Sequence, residues 1–251
     1  MNVFLTGATG YVGSAIAASL VRARHDVTAL VRSSTSGARV SSYGIHPYRG
    51  DLRDAASYRD AASAADAVIH AAVEGGSDRI DVDRVFVDAV AGPTLIYTSV
   101  LFVLGNVDDA DETAPASGPR GDHERIVLER GGAVIRPGMI WGSMNSDKAW
   151  LFNHKIYIGD GNNRWPLVHR DDVGELYRLV AESGARGVFH AVAEVRRARD
   201  VFPSMEGTPL EKAREKLGAF ADALALDQNV RAPRSIALGW RPARCGVRQQ
   251  E

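Results

Sequence analysis

The chain has 251 residues, 45 % of them hydrophobic, with 30 basic and 31 acidic side chains and a formal net charge of −1. That length suits one α/β domain with a lobe attached, or two small domains, and the near-neutral balance gives no bulk electrostatic case for nucleic acid or a membrane surface. No apolar run is long enough to span a bilayer, and the lone Cys245 excludes an internal disulfide framework and a thiolate metal cluster.

Residues 2–5 form a short apolar run that reads as a buried parallel strand. Gly7, Gly10 and Gly13 follow at spacings of three, and Val12, Ile16 and Leu20 then recur every four residues as one face of a helix. Strand, glycine turn and helix are the parts of a phosphate-binding βα unit. Glycine lets a ligand approach the main chain, and the N–H groups and dipole of the helix start favour an anion. The pattern predicts a dinucleotide site. Because this strand opens the chain, no signal peptide is expected and the protein reads as cytoplasmic.

The spacing Gly-x-x-Gly-x-x-Gly in Thr6-Gly7-Ala8-Thr9-Gly10-Tyr11-Val12-Gly13 resembles the extended short-chain dehydrogenase/reductases, which include nucleotide-sugar epimerases and dehydratases. The resemblance implies an α/β, doubly wound parallel Rossmann sheet with a small C-terminal substrate lobe. The dinucleotide domain would be residues 1–137 and the lobe mostly 138–251, with segments at about 167–192 returning to the sheet. The resemblance assigns Gly7, Thr9, Gly10, Tyr11, Val12 and Gly13 to the cofactor.

A second strand, 27–31, closes with Arg32, Ser33 and Ser34. An acid here binds the ribose 2′-hydroxyl of NAD, whereas an arginine accommodates the 2′-phosphate of NADP. Arg32 therefore favours NADP over NAD, against the plainer reading of a solvated arginine. After a third strand at 45–49, the resemblance places Asp51 and Leu52 beside the adenine; Asp51 also suits a helix N-cap. Residues 58–65 read as a short helix. Residues 66–73 read as the fourth strand and its exit, where small Ala71 and Ala72 admit the cofactor and His70 packs. A polar loop, 74–78, follows. A helix at 81–90 would bury Val82, Val85, Phe86 and Val90, and a fifth strand follows at 94–98.

In the family resembled, a Ser or Thr five residues before a glycine polarises a carbonyl, and a Tyr-x-x-x-Lys pair supplies the proton and holds the nicotinamide ribose. Here Val100 stands five residues before Gly105, with Ser99 its neighbour. Aligning from Glu124 puts Arg120 at the lysine position and Ala116 at the tyrosine position. The candidates at the reacting end are thus Ser99, Arg120 and His169. Tyr97 reads as core, and His123, His154 and Tyr157 are further candidates without an assigned role.

A sixth strand ends at Arg136-Pro137, where proline is expected to stop pairing, and a loop runs on to Gly142. Asp160-Gly161 marks a turn. The segment from Leu167 resembles the family's Val-His-x-x-Asp-Val; Asp171 or Asp172 would cap a helix burying Val173, Leu176, Tyr177 and Val180. His169 reads as packing or catalysis. With Asp171 it lacks ligand spacing and a third partner, so no metal site is expected. A strand at 187–192, a helix at 210–224 and the turn at Ser235–Pro242 complete the chain. The connections near Ala91, Gly142 and Arg197 are short for the family.

The resemblance implies an NADP-dependent oxidoreductase or epimerase/dehydratase acting on a small carbonyl, alcohol or sugar-like substrate, as a homodimer through two helices. The alternative is a non-catalytic NADP-binding redox sensor or interaction protein.

Overall fold

Both faces of the N-terminal strands are covered, which is why they carry unbroken apolar runs. Val3 and Leu5 point to one face and Phe4 to the other, and all three are buried. This computed structural model describes residues 1–73, 76–90, 94–142 and 156–246. Glu74, the connection at Ala91, the stretch from Ser143 to Trp150 and the candidate His154 lie outside the described residues.

The strands are β1 (Asn2–Thr6), β2 (Asp26–Val31), β3 (His46–Arg49), β4 (Ala67–His70), β5 (Thr94–Thr98), β6 (Val107–Ala110), β7 (Ala133–Pro137), β8 (Met139–Trp141), β9 (Arg164–His169), β10 (Gly187–Ala191), β11 (Glu194–Arg197) and β12 (Gln228–Val230). The principal helices are α1 (Tyr11–Arg22), α2 (Ser34–Ser41), α3 (Arg59–Ser63), α4 (Arg79–Ala89), α5 (Gly118–Glu129) and α6 (Arg170–Ser183). Seven strands form one parallel sheet in the order β3-β2-β1-β4-β5-β7-β10. The order reverses between β1 and β4, so a crevice opens at their carboxyl ends. Helices α1 and α6 cover the face of Val3 and Leu5. Helices α3, α4 and α5 cover the face of Phe4. The fully buried Trp240 closes the first face, donating its Nε1–H to Asp172 O at 2.8 Å.

A second core, around Met139, Trp165, Leu167 and Phe202, belongs to the lobe. It lies on a three-stranded sheet, β11-β9-β8. The expectation that 167–192 returns to the main sheet therefore needs dividing. Helix α6 and β10 return, whereas Leu167–His169 stays in the small sheet with β8 and β11. Strand β6 pairs with β12 and ties the lobe's last strand to the loop after β5.

Other expectations are corrected by local physics. Residues 34–41 are helical, with Ser33 accepting from Ser36 N–H as N-cap. Val85 is exposed; the inward face of α4 carries Val82, Asp83, Phe86 and Val87. Pro137 does not end the pairing: it remains in β7 opposite Ala191. Beyond the short α7 (Ala198–Val201), the helix expected over 210–224 is two helices, α8 (Leu210–Leu217) and α9 (Phe220–Leu224). They break at Gly218, whose φ of +55° suits glycine.

Candidate functional site

The glycine turn is built by close backbone contact. Gly7 has φ +75°, and its carbonyl accepts from Gly10 N–H at 2.7 Å. A Cβ on Gly7 would stand 2.5 Å from Ala71 O, and one on Gly13 would stand 2.0 Å from Gly7 O. The turn therefore presses against the exit of β4 in front and against α1 behind. Gly10 caps α1 without a side-chain hydrogen bond, so first-turn N–H groups keep their capacity for a ligand. A cradle that any Cβ would fill, ending on an uncapped helix start, fits the pyrophosphate of a dinucleotide.

A cleft of about 290 Å³ lies over this turn. Of the expected cofactor residues, Gly7, Thr9, Gly10, Arg32, Leu52, Ala71 and Ala72 line it; Thr6 and Ser36 join them, and among the described residues none of the lining side chains is acidic. The other four stand outside its lining. Tyr11 turns its hydroxyl away to donate to Gly142 O at 2.6 Å, with the Arg170 guanidinium 5.1 Å from its ring centroid. Burial pushes its pKa up to about 12. Val12 packs on the core, and Gly13 sits behind the turn. Asp51 accepts from Arg53 N–H at 2.9 Å, and the N-cap there is Asp54, which accepts from Ala56 N–H at 3.2 Å.

The sequence reading missed Thr6. Its Oγ1 accepts from Ala72 N–H at 3.3 Å and lies 2.8 Å from His70 Nδ1. His70 is more than packing: it stacks on Phe86 at 4.2 Å and its Nε2 lies 3.4 Å from Asp83 Oδ1.

At the end of β5, Ser99 is fully buried and donates its N–H to Ile135 O at 2.8 Å. Its Oγ has no hydrogen-bond partner among the described residues, and a buried hydroxyl left so is costly unless a ligand meets it. Arg120 reaches the same strand end. Its Nη1 donates to Thr98 O at 3.1 Å, and its Nη2 lies 3.5 Å from Asp83 Oδ2. Thr98 Oγ1 in turn accepts from the buried Tyr177 hydroxyl at 2.6 Å. Ala116 precedes α5 altogether, since Ser117 occupies the N-cap position.

The structure brings Ser99 and Arg120 to one strand end but joins His169 to neither by a hydrogen bond or ion pair. His169, not Asp171 or Asp172, caps α6: its Nδ1 accepts from Asp171 N–H at 3.2 Å. Its proton is therefore on Nε2, and burial holds its pKa below the ordinary histidine value. It sits edge-on to Trp141 and against Gly142, the residue that also takes the Tyr11 hydroxyl. Asp172 is buried and paired with Arg244 at 2.9 Å. The remaining candidates among the described residues are engaged in structure. Tyr157 donates to Met205 O at 2.8 Å, and His123 is buried beside Tyr97. Arg136 is buried in an ion pair with Glu124 at 2.6 Å.

Residues 3–96 match the model of the NAD dependent epimerase/dehydratase family. An uncharacterized protein of Saccharomyces cerevisiae is 31 % identical over 230 residues, 77 % of this chain and 75 % of that one. The chain belongs to the NAD-dependent epimerase/dehydratase family, among the extended short-chain dehydrogenase/reductases. An uncharacterized Schizosaccharomyces pombe protein is 29 % identical over 96 % of this chain and 95 % of that one. A 4-hydroxy-2-methyl-3-oxo-4-farnesyl-3,4-dihydroquinoline-1-oxide ketoreductase of Stigmatella aurantiaca is 25 % identical over 92 % of this chain and 75 % of its own. The Thermus thermophilus UDP-glucose 4-epimerase, solved with NAD, superposes with a TM-score of 0.76 at 18 % identity, over 98 % of this chain and 96 % of that one. The human epimerase family protein SDR39U1, solved with NADPH, gives 0.73 at 16 %, over 97 % and 95 %. Membership in this family makes the group that the cleft fits a nicotinamide dinucleotide.

Proposed function

We propose that the chain is an NADP-preferring oxidoreductase that reduces or oxidises a small carbonyl or alcohol substrate. It would do so without the family's tyrosine. The cofactor preference is carried by the far end of the cleft, where Arg32 and Ser36 line the wall and, among the described residues, no acidic side chain does. A guanidinium there complements a 2′-phosphate, while a carboxylate would select a free 2′-hydroxyl.

The chemical reading rests on Ser99. Its unspent Oγ offers a hydrogen bond to a substrate oxygen. Arg120 supplies a permanent positive charge one residue away along β5, where it stabilises an oxygen that gains negative charge. The cofactor, when bound, supplies or accepts the hydride. An arginine stays protonated near neutral pH and Ala116 carries no acid, so the proton comes from water or from the substrate itself. The relative named a ketoreductase favours a carbonyl substrate. The complete burial of Ser99 favours the second reading, a dinucleotide-binding sensor without turnover.

The test is separate titration with NADPH and NADH, followed by melting temperature, then turnover on aldehydes, ketones and sugar nucleotides. NADPH should stabilise the fold by mass action and NADH less. Arg32→Ala should raise the NADPH Kd about tenfold and leave NADH within about twofold, the loss of one charge-assisted contact. Stabilisation by NADH alone removes the NADP assignment. NADPH binding with no turnover on any carbonyl leaves the sensor reading.

A further inference from the structure

The inward face of α4 should be apolar, yet it carries Asp83, 2 % exposed. A buried carboxylate is tolerated only when donors surround it. Three do: His70 Nε2 at 3.4 Å, the Tyr97 hydroxyl at 3.2 Å and Arg120 Nη2 at 3.5 Å. Burial alone would raise the Asp83 pKa, but these partners hold it below the ordinary carboxylate value. Every donor therefore points at Asp83, and that fixes the protons further out. Tyr97 donates to Asp83, so it accepts from His123 Nδ1–H at 3.2 Å. His70 carries its proton on Nε2, so its Nδ1 accepts from Thr6 Oγ1–H at 2.8 Å. Thr6 Oγ1 takes Ala72 N–H on one lone pair and keeps acceptor capacity, not donor capacity, toward the cleft that it lines.

The order Thr6, His70, Asp83 looks like a nucleophile relay. But Thr6 already accepts from a main-chain N–H, and the chain sets polarity and position instead. At its other end it holds Arg120 against Thr98 O. One carboxylate thus governs both the glycine-turn side and the reacting side of the cleft.

We propose that Asp83 is a positioning residue for the dinucleotide. Through the tautomer of His70 it presents Thr6 Oγ1 to the cofactor as an acceptor, suited to a ribose hydroxyl and unsuited to a phosphate oxygen. Through its ion pair it aims Arg120 at the end of β5. This rests on the dinucleotide reading of the cleft.

The experiment has two arms. In the first, the full chain labelled with ¹⁵N-histidine is observed without ligand, with His70 assigned by the signal missing from His70→Phe. His70 should show the Nε2–H tautomer; the Nδ1–H tautomer overturns the proposal whatever the cleft binds. In the second, NADPH Kd is measured for wild type, Asp83→Asn, Thr6→Ser, Thr6→Val and the double variant Thr6→Val/Asp83→Asn. Asp83→Asn should weaken binding about tenfold, Thr6→Ser should retain wild-type affinity, and the Asp83→Asn loss should shrink in the Thr6→Val background. A purely structural Asp83 would lower the melting temperature and leave Kd within twofold, and that result overturns the proposal alone. Full additivity with Thr6→Val does the same. If Asp83→Asn does not fold, the tautomer and the Thr6→Ser against Thr6→Val comparison decide it: equal affinities for those two variants overturn it. A wild-type chain that binds neither NADPH nor NADH overturns the cofactor reading and this proposal together.

Discussion

Gly7 and Gly13 are held so closely to carbonyl oxygens that one methyl group has nowhere to go. Gly13→Ala should cost about 1–3 kcal/mol by forced backbone movement and abolish NADPH stabilisation, both read from melts with and without nucleotide. A second residue-scale consequence concerns pH. His190 is fully buried, its Nδ1–H donating to Arg231 O at 2.9 Å and its Nε2 3.5 Å from Arg136 Nη1. Burial, with the Arg136 charge, lowers its pKa from 6.5 to about 4. The unfolded chain therefore takes up this proton first as pH falls. The contribution to stability is complete above pH 6.5 and is lost on descent toward 4, roughly 3 kcal/mol over that window. His123 and His169, lowered by burial as well, act in the same direction. Urea midpoints at pH 7 and pH 4.5 should differ less in His190→Gln than in wild type. The glycines were legible in the sequence because their constraint is local to the backbone. The ring of donors around Asp83 was not: periodicity shows which face is inward but not which polar atoms meet there. The cap of α6 was misread for a related reason, since the two acids after His169 are the commoner caps and only the fold shows which side chain turns back.

Helix α2 shows what local sequence withholds at the scale of an element. Its residues, Ser34–Ser41, bury only Gly37 and Val40, too few to set a period. The signal was the Ser33 cap, which is weak without an apolar stripe behind it. The helix matters because Ser36 and Arg32 flank the cap and line the cleft. Ser33→Ala should cost about 1 kcal/mol of stability and weaken NADPH more than NADH, measured by melts and titration. The opposite error occurred over 210–224, where apolar spacing runs on through a break. Gly218 ends α8 by its backbone conformation, which spacing does not report. The parallel strands were the most legible elements. Burial on both faces writes them as short apolar runs, and β5 coincides with its expected residues, 94–98.

The doubly wound parallel sheet that the resemblance implied is the one observed across the whole molecule, and right-handed crossovers leave such a succession of strands and helices few alternatives. The lobe did not follow. Its three-stranded sheet pairs β9 with β8 and β11, and β12 with β6 lies across the chain from its partner. Pairings over such separations have no local signature. The chemistry divides along the same line. Four segments singled out in the first half meet at the cleft, while the end of β5 is held by Asp83 and Tyr177, which approach it from opposite faces of the sheet.

Trp240 gives that long-range closure a direction in time. It is buried in the same core as Val3 and Leu5, which leave the ribosome well before it. At about 5–20 residues per second, the first strand waits roughly ten to fifty seconds for the side chain that seals it. Meanwhile β1 to β5 can pair, but the face they present toward α6 remains open. The nascent chain should therefore be a substrate for chaperones late in synthesis. Pulse proteolysis of a chain ending at residue 232 should cut rapidly at conditions where the full chain survives, and equal resistance of the two would mean the core closes without its last aromatic.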